Sequence, residues 1–222
     1  MRPLFNYDAR KMPEAQKAAH LSVVYAQACG DHEGQANALN CLSTFYGYAQ
    51  DGERARVYAG RALTVPELSR EQEARAYSRL GRSLGLLNEK RQAMTHLDKA
   101  REVGEDLPEF RRADLVGSVG VALYEQGDFA AARSALDESV RLASSSSPFV
   151  WANYLARLVQ TALRASEPDL AVELMETLGR IAPLVSSARL DTYLAEIAEL
   201  SHPFRGMPEI ELMRERLRVL LT

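Results

Sequence analysis

The chain has 222 residues with 27 basic and 30 acidic side chains, a formal net charge of −3 and only 2 cysteines. This length suits one hydrophobic core or one continuous array. The cysteine count excludes a disulfide-stabilised secreted module, and the lack of a long apolar run excludes a membrane span. Neither half of the chain carries a marked basic excess, so direct binding of nucleic acid is not expected. We therefore expect a soluble, cytoplasmic protein.

The first predicted element is a helix over residues 13–29. The pattern provides no preceding helix as its hairpin partner, so its apolar stripe is expected to be an uncovered edge of the molecule. Either Leu4 and Phe5 fold back onto this edge or a second chain covers it in a homodimer. The stripe consists of Leu21, Val24, Tyr25 and Ala28.

Four segments of similar sequence follow a partial unit at residues 1–33, and they occupy residues 36–73, 74–112, 113–151 and 152–190. Within each segment, apolar residues recur at the spacing of a helix that buries one face. A turn signal divides each segment near its middle. Each segment is therefore predicted to be a hairpin of an A helix and a B helix. The turn signals are Asp51-Gly52, Asn88-Glu89, Gly127-Asp128 and Glu167-Pro168.

Small residues recur at two equivalent places in these segments. One place lies in helix A and is mostly small, and the other lies in helix B and is alanine in all four segments. Small side chains at such positions allow two helix axes to approach closely. The sequence therefore predicts that A and B cross at these residues. They are Ser43, Gly81, Gly120 and Val159 in helix A, and Ala55, Ala93, Ala132 and Ala171 in helix B.

Residues 191–222 are predicted to form a terminal helix pair. The A pattern continues from Asp191 to Ser201, and the segment 202–206 then breaks the helix. The last helix has an apolar stripe and a charged outer face, so it is either a solubilising cap of the array or a dimerisation helix. The stripe is Ile210, Met213, Leu217 and Leu220, and the outer face is Glu211, Arg214, Glu215 and Arg218.

The two central segments resemble the tetratricopeptide repeat (TPR), although their period exceeds the family's length of about 34 residues. This resemblance implies an all-α fold, a right-handed α-α superhelix of about eleven helices that forms one array over residues 1–222 with a C-terminal capping helix. The residues that carry it are Leu80-Gly81, Leu84, Ala93, Leu97 and Ala100, and again Val119-Gly120, Leu123, Gly127-Asp128-Phe129, Ala132 and Leu136.

A narrower resemblance covers most of the chain and is to the C-terminal repeat region of actinobacterial helix-turn-helix transcriptional regulators. It implies either the isolated sensory half of such a regulator or a stand-alone relative, because no DNA-binding domain precedes the first hairpin. The residues that carry it are Tyr7-Asp8-Ala9, Glu14-Ala15-Gln16, Ala28-Cys29-Gly30-Asp31, Ala36-Asn37-Ala38-Leu39 and the closing helix from Pro208 to Leu221.

No pattern of catalytic chemistry is found. The four histidines are scattered, so neither a metal site nor a cofactor is expected. Cys29 and Cys41 are expected to be two small buried thiols. The glycines at 81–85 and 117–120 fall inside helices, where they serve packing and do not form a phosphate loop. We therefore expect a protein that is not an enzyme.

The TPR resemblance places certain helix A positions on the concave wall. Asparagine there offers a donor and an acceptor to a peptide bond, and the guanidinium of arginine can bind a carboxylate through two parallel hydrogen bonds. Alternatively, the arginines are a solvated face paired with Glu71, Asp114 or Glu125. The predicted groove residues are Asn37, Asn40, Thr44, Tyr48, Arg75, Ser78, Arg79, Arg82, Tyr124, Asn153, Arg157, Gln160 and Arg164.

These features favour a non-enzymatic sensing or partner-binding module of a transcriptional regulator. An extended peptide or a similar anionic ligand is expected to occupy the groove and change the curvature of the stack, because small rotations per repeat accumulate along a solenoid. The alternative is a passive scaffold that docks a protein partner without switching.

Overall fold

The structure is a computed structural model that describes residues 12–144 and 147–220. Within these residues it is all-α, a right-handed superhelix of eleven α-helices without a β-strand. The helices are α1 (Met12–Cys29), α2 (His32–Tyr48), α3 (Gly52–Leu63), α4 (Arg70–Leu86), α5 (Lys90–Gly104), α6 (Glu109–Glu125), α7 (Phe129–Ala143), α8 (Pro148–Arg164), α9 (Pro168–Ile181), α10 (Ala188–Leu200) and α11 (Pro208–Leu220).

The same three-residue turn joins the A helix to the B helix in four hairpins, and the predicted turn positions are confirmed. In each turn the second residue adopts a left-handed backbone conformation, which ends helix A sharply. The Asp51 and Asp128 side chains then cap the next helix by accepting hydrogen bonds from backbone N–H groups at 3.0 and 3.1 Å. The left-handed residues are Gln50, Asn88, Gly127 and Ser166.

In the first two hairpins the helices cross closely at the small residues, as predicted. Ser43 Oγ donates a hydrogen bond of 2.8 Å to the carbonyl oxygen of Ala55 on the facing helix. A Cβ atom at Gly81 would lie 2.7 Å from the Leu97 side chain and 3.0 Å from the Ala93 carbonyl oxygen. A larger side chain at Gly81 would therefore force these two helices apart, whereas the fourth hairpin accommodates the buried Val159 at the equivalent position.

The N-terminal helix α1 packs on α2 through one face only. That face consists of Ala15, Ala19, Val23 and Ala26, all buried. The predicted apolar stripe lies on the opposite side, where Val24 and Tyr25 are 61% and 66% exposed, so the uncovered edge is confirmed. Leu4 and Phe5 lie outside the described residues. Cys29 is exposed, and the prediction of two buried thiols is therefore wrong for this residue and correct for Cys41.

The last helix, α11, covers the C-terminal end of the stack. A 3₁₀ turn over His202–Phe204 separates it from α10. Ile210, Met213 and Leu217 are buried against the neighbouring helices, as the predicted stripe requires. Arg214 was expected on the outer face, but its Nη1 donates to Ala198 O at 2.8 Å and to Ser201 Oγ at 2.6 Å, because these acceptors at the end of α10 lie within its reach. The other outer-face residues, Glu211, Glu215 and Arg218, are exposed.

None of the helices in the described ranges combines the length and the hydrophobicity that a bilayer-spanning segment requires.

Candidate ligand-binding site

Five A helices, α2, α4, α6, α8 and α10, form the concave face. They run in the same direction, because an antiparallel B helix lies between each A helix and the next. Between them lies a cavity of about 540 Å³, a volume in the range of small-ligand sites. Phe110, Arg111 and Ser147 line it at the beginning of α6 and α8. The lining therefore extends to the first turn of α6 and of α8.

Positive charge dominates the lining of this cavity. Arg75, Arg79, Arg82, Arg111 and Arg189 all contribute to it, whereas Asp114 is the acidic residue among the described lining residues. Fixed charges of one sign in a concave site attract ligands of the opposite sign. The cavity is therefore suited to an anionic group.

Arg79 has no ion-pair partner within the described part of the chain, and its Nε is buried and makes no hydrogen bond there. Burial lowers the pKa of Arg79, and the nearby Asp114 carboxylate opposes this effect only in part. The side chain is half-buried, so its guanidinium is a partly desolvated cation with unused hydrogen-bonding capacity.

Two other arginines of the cavity lining share carboxylates. We call the charged lining residues Arg75, Arg79, Arg111 and Asp114 the wall of the cavity. Arg75 lies 3.4 Å from Glu71 and 3.4 Å from Asp114. Arg111 lies 3.2 Å from the same Glu71 oxygen. The alternative that arginines pair with neighbouring acidic residues is thus correct for Arg75 and, through Glu125, for Arg82. Glu71 and Asp114 together serve Arg75 and Arg111.

Asp114 is held in place by Tyr154. The Tyr154 hydroxyl donates a hydrogen bond of 2.8 Å to Asp114 Oδ1 and lies 3.1 Å from Ser118 Oγ. Burial would raise the pKa of Asp114, but the charges of Arg75 and Arg79 and the bond from Tyr154 outweigh it and lower the pKa. Asp114 is therefore ionised and compensates part of the positive charge of the wall.

Asn40 lines the cavity and is fixed by Gln72. Its Nδ2 donates to the carbonyl oxygen of Gln72 at 3.2 Å and to the side-chain oxygen of Gln72 at 3.1 Å. Its Oδ1 is buried and accepts no hydrogen bond within the described ranges.

A layer of charged and aromatic side chains adjoins the cavity, which it meets at Tyr48 and Arg82. We call this layer the floor. The Tyr48 and Tyr193 hydroxyls, from the first and the last A helix, lie 3.5 Å apart. Arg82 packs against the Tyr48 ring at 4.3 Å and forms two hydrogen bonds of 2.6 Å with Glu125. The floor consists of Tyr48, Arg82, Tyr124, Glu125, Arg157, Tyr193 and Glu196.

The second half of the floor has the same chemistry. The Arg157 guanidinium lies 4.1 Å from the Tyr193 ring centre and 4.5 Å from that of Tyr124. Glu196 lies 3.5 Å from Arg157 and accepts a hydrogen bond of 3.2 Å from the Tyr124 hydroxyl. Arg82 and Arg157 are only 4% and 5% exposed. Both arginines therefore have a structural role, in which carboxylates and aromatic rings stabilise their charge.

The arginines around Tyr48 change its acidity. Burial would raise the pKa of Tyr48, but Arg189 and Arg82, the hydrogen bond with Tyr193 and the charge of Arg79 outweigh it and lower the pKa to about 8. Burial and the neighbouring Tyr48 raise the pKa of Tyr193 to about 12. Of the two hydroxyls, Tyr48 is therefore the first to ionise.

The predicted groove residues fall into four groups. Asn40, Thr44, Tyr48, Arg75, Arg79 and Arg82 line the cavity. Tyr124 and Arg157 belong to the floor. Ser78, Asn153 and Gln160 are buried between helices, where Gln160 donates to the Tyr193 carbonyl oxygen at 2.9 Å and Asn153 to that of Phe149 at 2.8 Å. Asn37 and Arg164 are exposed outside the cavity.

The prediction missed residues from the first turn of the A helices. Phe110 and Phe149 lie three positions before Ala113 and Ala152, and Arg189 lies in the first turn of α10. The A helices begin about one turn upstream of the residues on which the segments were aligned, so this turn was not considered. The recurrence of phenylalanine at equivalent positions of two segments was a signal that could have revealed it.

No group of three or more metal-ligating side chains occurs within residues 12–144 and 147–220.

No protein-family model matches the sequence, and no curated protein is similar to it. Several solved structures do share its fold. BtubC (BKLC) from P. vanneervenii is 13% identical, with a TM-score of 0.66 over 94% of this chain and 90% of the other. A Rap protein complexed with Competence and Sporulation Factor is 15% identical, with a TM-score of 0.69 over 98% of this chain and 72% of the other.

A third structure names the repeat type. It is a Podosopora anserina protein described as a kinesin light chain with nearly identical TPR-like repeats, 15% identical, with a TM-score of 0.60 over 83% of this chain and 93% of the other. The chain has a TPR-like fold. The fold expected from the TPR resemblance is thus confirmed. Similarity at this level of identity concerns the fold and not the ligand. The resemblance to helix-turn-helix regulators stays a prediction.

Proposed function

We propose that the chain is a non-enzymatic TPR-like module that binds an anionic segment of a peptide or protein partner in its concave cavity. The observation that carries this proposal is the half-buried guanidinium of Arg79, which lines the cavity and has no ion-pair partner among the described residues. A partly desolvated charge without a partner is unfavourable. An anionic ligand removes this penalty, because a guanidinium binds a carboxylate through two parallel hydrogen bonds.

The rest of the cavity supports a peptide-like ligand. Asn40 and Thr44, one helical turn apart on α2, provide polar side chains in the lining. Phe110 and Phe149 provide apolar surface at the beginning of α6 and α8, where side chains of the ligand would pack. A ligand with both an anion and apolar groups would therefore use more of the site than a simple inorganic anion.

For the biological role, we propose the sensory or interaction region of a transcriptional regulator. Two observations support it: the sequence resemblance to such repeat regions, and the shared fold with a Rap protein that is complexed with Competence and Sporulation Factor. In this role ligand binding changes the stacking of the repeats, and no cofactor or direct contact with nucleic acid is required. A homodimer through the exposed stripe of α1 or through α11 belongs to the same proposal.

A passive scaffold is the second candidate. The contact between Tyr48 and Tyr193 favours it, because it links the first and last A helices and resists a change of curvature. Small-angle X-ray scattering with and without bound ligand separates the two. The sensory role predicts a change in the radius of gyration, whereas the scaffold predicts none.

The binding proposal is tested with two pools of N-acetylated, C-terminally amidated random pentapeptides, one containing Asp and Glu and the other lacking them. Affinity selection followed by mass spectrometry should recover peptides mainly from the acidic pool. Arg79→Leu should weaken the recovered binders at least tenfold in calorimetry, whereas Arg101→Leu, at an exposed position of α5, should leave them unchanged. Equal binding to wild type and Arg79→Leu would contradict the proposal.

A further inference from the structure

We infer that the anionic group received by the cavity is a phosphoryl group on a phosphorylated side chain of the partner, and that Glu71 occupies Arg75 and Arg111 until this group binds. This inference rests on the proposed function, because it concerns the same cavity, and it names the chemistry of the group that binds. It also gives a role in setting the affinity to Glu71, which is not among the described residues that line the cavity.

The first argument is the arrangement of the arginines around the cavity. Arg75 and Arg79 come from α4, Arg111 comes from α6, and Arg189 comes from α10. Guanidinium groups therefore reach the cavity from three helices. A carboxylate is planar, and one guanidinium can bind it through two parallel hydrogen bonds. A phosphoryl group has three acceptor oxygens that point in different directions, so it can accept hydrogen bonds from several sides.

The second argument is the balance of charge. The three arginines of the wall face two carboxylates, Asp114 and Glu71, so positive charge is in excess. A monoanion would compensate the charge of Arg79 alone. A phosphoryl group carries a charge of about −1.5 to −2 at pH 7. It can therefore compensate Arg79 and also compete with Glu71 for the other two arginines.

The third argument is that the positive potential extends beyond the wall. Burial would raise the pKa of Tyr48, but the charges of Arg189, Arg82 and Arg79 and the hydrogen bond with Tyr193 outweigh it and lower the pKa to about 8. The first turns of α6, α8 and α10 also contribute to the lining, and helix N-termini carry partial positive charge. The potential that favours a tyrosinate here also favours a ligand of high negative charge.

The fourth argument is that Glu71 can be displaced. One oxygen of Glu71 lies 3.4 Å from Arg75 and 3.2 Å from Arg111, and its side chain is 23% exposed. Ion pairs that are partly exposed contribute little to stability. Asp114, in contrast, is fixed by the hydrogen bond from Tyr154. A phosphoryl group therefore replaces Glu71 and leaves Asp114 in place.

The fifth argument is the apolar part of the lining, which suits a phosphate ester better than free phosphate. Phe110, Val121, Phe149 and Val150 line the same cavity, whose volume of about 540 Å³ is typical of sites for whole organic ligands. A phosphorylated side chain brings carbon atoms to this surface. Inorganic phosphate would leave the apolar surface exposed to water.

Wild-type protein provides the first test. The probes are pools of N-acetylated, C-terminally amidated pentapeptides without Asp or Glu, random except at the central residue. This residue is phosphotyrosine, phosphoserine, tyrosine, serine or, in one further pool, glutamate. Affinity selection at pH 7 should retain at least one phosphorylated pool at least tenfold more strongly than the glutamate pool and its own unphosphorylated pool. Equal retention of the phosphorylated and glutamate pools would overturn the inference.

Calorimetry of the best binder tests the charge and the source of the phosphoryl group. A phosphate monoester loses part of its charge below its second pKa of about 6, so the affinity should fall at least fivefold between about pH 7 and pH 5. An affinity independent of pH would overturn the requirement for a dianion. Phenyl phosphate and inorganic phosphate should bind at least tenfold more weakly than the peptide. Equal affinity would assign the site to a free phosphate compound and overturn the assignment to a partner's side chain.

Variants near the wall provide the third test. Arg79→Leu should weaken the phosphopeptide at least tenfold. Glu71→Gln should strengthen it at least threefold, because Arg75 and Arg111 are then available to the phosphoryl group. The matched control is Glu73→Gln, which removes a charge from the same helix at a residue that interacts with Lys99 and should leave the affinity unchanged. Unchanged or weaker binding by Glu71→Gln would overturn the role of Glu71.

The two proposals fail in different ways. Binding of acidic peptides through Arg79 without a preference for phosphorylated ones contradicts the phosphoryl group and leaves the anion site intact. Failure of both the phosphorylated and the acidic pools to bind, or binding unaffected by Arg79→Leu, contradicts the proposed function itself.

Discussion

Arg79 and Arg82 lie one turn apart on the same helix and have opposite roles. Arg82 forms two hydrogen bonds of 2.6 Å with Glu125 and packs on Tyr48, whereas Arg79 projects into the cavity without an ion-pair partner among the described residues. Burial acts on both guanidinium groups. Glu125 nevertheless raises the pKa of Arg82 above its usual range, while the pKa of Arg79 is lowered. Whether a carboxylate lies within ion-pair distance therefore decides which arginine is structural and which is available to a ligand.

The same contrast extends to the floor and the wall of the cavity. In the floor, Arg157 has Glu196 and two aromatic rings around it. In the wall, Arg75 and Arg111 share Glu71 at distances above 3 Å. The floor is an internally satisfied layer that ties the stack together. The wall has unused hydrogen-bonding capacity, which is what a binding site requires.

The largest expected effect is on the free energy of unfolding, and it appears when Arg82 and Arg79 are replaced in turn. Arg82→Leu leaves Glu125 buried without a partner and should lower the free energy of unfolding by about 3–5 kcal/mol in urea denaturation. Arg79→Leu removes a buried charge that has no ion-pair partner and should leave stability unchanged or increase it. Similar losses in the two variants would remove the distinction between wall and floor.

The second effect is a loss of about 1–3 kcal/mol in the free energy of unfolding, and it is expected for a substitution at Gly117. A Cβ atom at Gly117 would lie 2.6 Å from Ser139 Oγ and 2.6 Å from the ring of Tyr154, the residue that holds Asp114. Gly117→Ala should therefore destabilise the protein.

The matched control for this glycine is Gly179→Ala in α9. Apart from its chain neighbours and its own helix backbone, no atom of the described residues lies within 4 Å of the added methyl group, and alanine should stabilise the helix by up to about 1 kcal/mol. Thermal unfolding measures both changes. A gain in stability for Gly117→Ala would show that the wall is not packed as described.

The third effect is a pH dependence centred on Tyr48, whose pKa is lowered from 10.0 to about 8. A lowered pKa in the folded state adds stability that is fully present above pH 10 and is lost as the pH falls through 8. Stability should therefore rise between these pH values. Absorbance at the tyrosinate band should show one early ionisation in wild type and none in Tyr48→Phe.

The smallest expected effect is stabilisation by a simple anion. Sulfate that occupies the site at Arg79 should raise the melting temperature of wild type slightly more than that of Arg79→Leu, by mass action on the folded state. Sodium chloride at matched ionic strength is the control for general screening. Identical sulfate responses in both proteins would mean that Arg79 offers no anion site.

Much of the fold could be predicted because its causes are local in the chain. The turn at Asp51-Gly52 and the cap at Asp128 follow from short-range backbone chemistry, and they appear where the pattern placed them. The close crossing at Gly81 follows from side-chain size alone. The errors lie where neighbouring elements compete for a side chain. Arg214 was predicted to face the solvent, but its guanidinium donates hydrogen bonds to acceptors at the end of α10.

The site was predictable only in part for the same reason. Helical spacing correctly placed Arg75, Arg79 and Arg82 on one face of α4, but periodicity does not tell which carboxylate meets which arginine. It also gave no sign that α10 would return to α2 and bring Tyr193 to Tyr48. Such a contact depends on the small rotation between successive hairpins, summed over the whole stack.

The sequence by itself determined the repeated hairpins, their turns and the small residues at which the helices cross, because each depends on interactions within one hairpin. The tertiary structure alone decided that Tyr48 and Tyr193 meet across the concave face and that Arg79 is left without an ion-pair partner in the described part of the chain. The curvature of the stack fixes the distances between charges on different hairpins, and the energy of a charge depends on those distances and on its burial.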